Sequence, residues 1–117
     1  MTPQQNKIIH RVISVFGKQN QKMQAIEELM ELQSAIFENI HRNTDNRINI
    51  IEEIADVEIM LAQLKEIYEI APNEIEKVQD YKLNRLGKTI EKYLADQQKD
   101  SSTQQEIHIT RKISNDR

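Results

Sequence analysis

The chain has 117 residues, 38% of them hydrophobic, and a formal net charge of −3, which suits one domain with a modest core and gives no support to a general nucleic-acid binder. Cys is absent, so disulfides and Cys-ligated zinc are excluded. Gly and Pro number two each, too few for the turns of a sheet protein of this size, while abundant Leu, Ile, Glu, Lys and Gln favour long helices.

Thr2 can cap a first helix with Pro3 at its first position. Ile8, Ile9, Val12, Ile13 and Phe16 then recur at helical spacing, and Gly17 is a stop. The first helix is expected over 3–16. His10 flanks its apolar stripe and reads as a partly exposed side chain rather than a ligand.

A second helix is expected over 20–41. Met23, Ile26, Leu29, Met30, Leu32, Ile36, Phe37 and Ile40 form one broad apolar arc. Glu28 and Glu31 fall outside that arc, with Ala35 between them, so this wheel alone lets both be solvated. The segment His41–Arg47 is polar and reads as a loop. Glu38-x-x-His41 has the spacing of di-iron bundles, but those need two copies and the chain has one, so it carries no metal assignment.

A third helix is expected over 45–70 and is apolar over much of its circumference, from Ile48 to Ile70. Such a helix is usually central. Glu53 and Asp56 fall among Met60, Leu64 and Ile67, on a face that should be covered by protein. Burying an unpaired carboxylate costs several kcal/mol, so these two need a cation, a basic partner or a proton. Glu52, Glu58 and Glu66 read as surface.

Ala71-Pro72 breaks the helix. Asn73 to Glu76 has the spacing of a capping box and opens a fourth helix, expected over 74–96. Lys77, Lys82, Arg85, Lys88 and Lys92 lie along it, as a solvated basic face or as a phosphate-binding one. Residues 97–117 are polar and read as a mobile tail, in which 106–113 alternates weakly, as a short strand would. The domain is therefore expected over 1–96. No apolar run approaches the roughly 18 residues of a membrane span, and the N-terminus lacks the apolar core of a signal peptide, so a cytoplasmic protein without a membrane partner is expected.

The acids carry the functional signal. Glu28 and Glu31 are three residues apart, as are Glu53 and Asp56, so each pair shares a helix face. If the two helices pack side by side, four carboxylates converge. Their natural counter-charge is a hard divalent cation bound through oxygen.

Glu27-Glu28-x-x-Glu31, followed after 21 residues by Glu53-x-x-Asp56, resembles the MazG-like all-α nucleoside triphosphate pyrophosphohydrolases. The flanks Ala25–Leu32 and Glu53–Leu61 are similar to that family's two motif helices. Gly17–Gln21 and Lys82–Leu86 are similar to its compact, often phage-associated members. The resemblance spans about residues 5–95 and implies an antiparallel four-helix bundle-like fold that oligomerises through its helices. It also implies cleavage of a nucleoside triphosphate between the α and β phosphates, giving a monophosphate and pyrophosphate. The implied cofactor is Mg²⁺, with Mn²⁺ as a substitute, held by Glu28, Glu31, Glu53 and Asp56. Glu28 or Glu31 is implied as the residue that orients or deprotonates the attacking water. Lys82 and Arg85 are candidates for the phosphate tail, Asn84 for phosphate or sugar, and Gln21 for base or sugar. The chain has no Trp, so members that stack a base between Trp residues are no guide to this pocket.

Family members are dimers or tetramers, and the third helix has more apolar surface than three partners can cover. A homodimer or homotetramer is therefore expected. The alternative function is a non-catalytic helical interaction or regulatory module that keeps the bundle.

Overall fold

Thr2 starts the first helix as expected. Its hydroxyl accepts from the Gln5 N–H at 3.1 Å, and the Gln5 side chain accepts from the Thr2 N–H at 2.9 Å. This reciprocal cap opens α1, Pro3–Phe16. The structure, a computed structural model, describes residues 1–100. The segment 106–113 and most of the expected tail lie outside the described residues.

Gly17 joins α1 to α2, Lys18–His41, with no other residue between. Its φ of +92° lies in the region that favours glycine, so a side chain there would be strained although it would meet open space. The Gly17 N–H bonds the Ile13 carbonyl, and the Asn20 amide donates to the Phe16 carbonyl at 2.8 Å. Two otherwise orphaned carbonyls of α1 are thereby satisfied.

After a short connection, α3 runs Arg47–Ile67. It ends three residues before the expected Ile70. Glu69 adopts a left-handed φ of +53°, and the Ile70 N–H reaches the Lys65 carbonyl at 2.8 Å, closing the helix. The fourth helix, α4, runs Pro72–Lys99 and so begins and ends outside the expected 74–96. Its cap is Ala71 rather than Asn73. Pro72 takes the first helical position, where its missing N–H costs nothing, and Glu74 accepts from the Ala71 N–H at 2.7 Å. Among the described residues there are four helices and no strand, an all-α chain, and no helix is long and apolar enough to cross a membrane.

The chain divides into two compact units, Met1–Ile70 and a second from Ala71. In the first, α2 and α3 form an antiparallel hairpin. Asn46 reaches Ala35 near the connection, and Gln21 meets Gln63 at the other end. Helix α1 packs on this hairpin, and its Ile9 and Ile13 form a buried cluster with Ile67 against Ala62. His10 Nδ1 lies 2.9 Å from Glu66 Oε1 on the exposed side of that contact. In the second unit, α4 carries no fully buried residue and exposes Val78, Tyr81, Leu83 and Leu94.

The face of α2 turned to α3 differs from the one its apolar arc suggested. The buried positions of α2 are Gln21, Ala25 and Ala35, with Glu28 and Leu32 half-buried. Met23, Ile26, Met30, Phe37 and Ile40 are each more than half exposed. Ala25 and Ala35 are small enough for α3 to approach closely, and α3 supplies the bulk through Val57, Met60 and Ile67.

Candidate metal centre

Glu28 sits in the seam of the hairpin, between Ala25 and Leu32 along α2. Glu53 faces it from α3, four residues before the buried Val57. One carboxylate oxygen from each of Glu28, Glu53 and Asp56 lies within 4.8 Å of the others. Glu28 and Glu53 are half-buried and Asp56 is exposed. The placement of Glu28 follows from the helix repeat. It stands seven residues from both Gln21 and Ala35, so the register that buries those two also turns Glu28 inward.

Two features make this cluster more than a group of surface acids. Oε2 of Glu28 and Oε2 of Glu53 are both buried, and neither has a hydrogen-bond partner. Buried carboxylate oxygens without a partner are costly, and here two face one another's charge. The Glu53 carboxyl is also pushed above the usual carboxylate range. Partial burial is the largest cause, followed by the negative charges of Glu31, Asp56 and Glu28 and a side-chain hydrogen bond with Glu31. The ion pairs within Met1–Ile70 are His10 with Glu66 and Arg42 with Glu38, and neither involves Glu28, Glu53 or Asp56. An all-oxygen set with two orphaned atoms fits a hard divalent cation.

Glu31 is exposed and stands outside the trio, although its charge acts on Glu53. Gln24, which the sequence did not bring forward, donates to Glu28 Oε1 at 2.9 Å and so fixes the orientation of that carboxylate while leaving Oε2 free. Its signal was its position, one turn before Glu28. Gln21 is buried in the same seam, and its amide donates to Gln63 Oε1 at 2.8 Å. Gln63, equally unremarked in the sequence, donates in turn to Met60 Sδ at 3.7 Å.

Lys82, Asn84 and Arg85 are exposed residues of α4, in the second unit. The Arg85 guanidinium lies over the Tyr81 ring at 5.8 Å. Glu38 and His41 belong to neither group: Glu38 faces Arg42 at 3.7 Å, and His41 packs on the Phe37 ring. No protein-family model, curated protein or solved structure matches the chain.

Proposed function

We propose that the protein is a MazG-like hydrolase that uses Mg²⁺ to cleave a nucleoside triphosphate between its α and β phosphates. The observation that carries this reading is the pair of buried, partnerless oxygens on Glu28 and Glu53, set with Asp56 in the seam of a helical hairpin. Glu28, Glu53 and Asp56 would hold the cation. Bound there, it would neutralise charge that develops on the phosphate oxygens.

The remaining steps belong to the chain's own side chains. Gln24 keeps Glu28 oriented through its 2.9 Å bond. Glu31, exposed and outside the trio, is the carboxylate left to accept a proton from the attacking water. The water's oxygen bonds to phosphorus, the bond between that phosphorus and the bridging oxygen breaks, and pyrophosphate leaves. Lys82, Asn84 and Arg85 remain the candidates for contacts to phosphate and sugar, and a role in clearing a cytoplasmic nucleotide pool suits this chemistry.

The same reading includes a homodimer or homotetramer. Five large apolar side chains on the outward face of α2 are more than half exposed in one copy, and covering what remains of each is worth about 1–2 kcal/mol.

The test is incubation of the purified protein with a panel of nucleoside triphosphates, with Mg²⁺ and then with EDTA. Mg²⁺-dependent release of monophosphate and pyrophosphate is the expected result. Orthophosphate and diphosphate would reject cleavage at the α–β bond. A folded protein with no turnover would favour the interaction module, for which the outward apolar face is the supporting feature.

A further inference from the structure

The α2–α3 seam holds polar side chains in three layers, and only the middle one takes part in the metal site proposed above. Near the connection, Asn46 Nδ2 donates to the Ala35 carbonyl at 2.9 Å. Seven residues along each helix come Glu28 and Glu53. Seven further along α2 comes Gln21, bonded to Gln63, which also reaches Met60, the position seven beyond Glu53. The acids are thus bracketed by neutral polar contacts at the helical repeat. Gln21 and Gln63 are shielded from solvent, at 8% and 4% exposed, and bond one another.

We infer that the Gln21–Gln63 pair is a register pin that sets the alignment of α2 on α3 at which Glu28, Glu53 and Asp56 meet. This rests on the metal-site reading above and deepens it. The reason is geometric. A seam of Ala, Leu, Val and Met packs almost equally well after a slip of one turn, because the apolar side chains repeat along it. Such a slip moves one helix about 5.4 Å and would pull the carboxylates apart. A buried amide pair does not survive it, since each amide would face an apolar side chain and lose its hydrogen bond. The mutual repulsion of the acids favours separation, so the alignment needs something that opposes it. Gln21 and Gln63 are positioning residues in this account and touch no reacting atom.

The decisive variant carries Gln21→Leu and Gln63→Leu together. Replacing both partners avoids an orphaned amide, so the melting temperature should be equal to or above that of the unaltered chain. Affinity for Mn²⁺, measured directly by electron paramagnetic resonance, should nevertheless fall about tenfold or more. The register is read separately. The chain has no Cys, so Ser34→Cys and Glu52→Cys accept spin labels at exposed sites on α2 and α3. In spin-diluted samples the label-to-label distance should broaden or shift in the double variant.

A pair that merely stabilises would lower the melting temperature and leave the Mn²⁺ affinity of the folded protein unchanged, which would overturn the inference. So would a fall in affinity at an unchanged distance, because the amides would then act on the cluster without setting its alignment. If the unaltered chain binds no Mn²⁺, the metal reading fails, and the distance measurement alone still decides the pin. If the Leu pair does not fold, Gln21→Met with Gln63→Met carries the same readouts on side chains closer in shape.

Discussion

Helix α2 has two faces that invert the usual arrangement. The face against α3 is built from Gln21, Ala25, Glu28, Leu32 and Ala35, whereas the face turned away carries Met23, Ile26, Met30, Phe37 and Ile40. Apolar content alone would have put the second face inside. The first is inside because two alanines allow close approach and because α3 brings its own bulk. The contrast teaches that the inner face is arranged around a polar cluster at some cost in stability, while the outer face holds most of the unused apolar surface of the helix. The inner face is suited to a ligand and the outer one to another protein surface.

The largest effect should come from emptying the centre of the inner face. On the proposed function, Glu53→Ala removes a metal ligand along with one orphaned oxygen, so pyrophosphate release should fall roughly 10²–10³-fold or more while circular dichroism stays helical. Retained turnover would detach function from this face altogether. Next is the outer face. Phe37→Asp places a charge among apolar side chains and should turn an oligomer into a monomer in sedimentation at micromolar concentration. A chain already monomeric before substitution would end the oligomer reading.

A packing change separates the two faces more finely. Ala25→Leu forces extra volume into the seam and should cost about 1–3 kcal/mol in denaturant unfolding. Met23→Ala, on the outer face, should cost well under 1 kcal/mol when measured in the Phe37→Asp background, where no partner covers it. Equal costs would mean that the faces are not different in kind.

The smallest effect concerns pH. With its carboxyl raised, Glu53 binds a proton more tightly in the folded chain than in the unfolded one. Without divalent cations, stability should therefore rise as pH falls from Glu53's raised value toward the ordinary carboxylate range. The Glu53→Gln variant should lose that part of the slope, and saturating Mg²⁺ should flatten it in the unaltered chain. Melting curves at several pH values, with and without Mg²⁺, measure both.

Much of the fold was legible because its signals were local. Thr2-Pro3, Gly17 and the polar run after His41 mark helix ends by their own chemistry, and the first helix matches its expected bounds. Glu53 could be placed on a covered face because α3 is apolar nearly all round, whereas Asp56, expected on the same face, is exposed at its edge. Glu28 could not, because the choice between two faces of α2 depends on what α3 presents, and that is not written in α2. The expected cap at Asn73 yielded to Ala71 for a related reason, since Pro72 is better suited to the first helical position than to a site before it. Gln63 gave no signal, because a single amide among apolar residues looks like noise until its partner 42 residues earlier is seen.

The connection between α2 and α3 is only a few residues, Arg42 to Asn46. Closing so short a loop takes well under a microsecond and carries little entropic cost. The hairpin is therefore a natural early structure for the chain to form, and α1 docks after it because its buried Ile9 and Ile13 pack on Ile67, at the far end of α3 in the sequence. The hairpin's acids are brought together at that same early step, before any later packing can compensate their repulsion. A divalent cation, or a proton on Glu53, would then act on the folding pathway itself and speed the forward reaction rather than only slowing the loss of the finished fold.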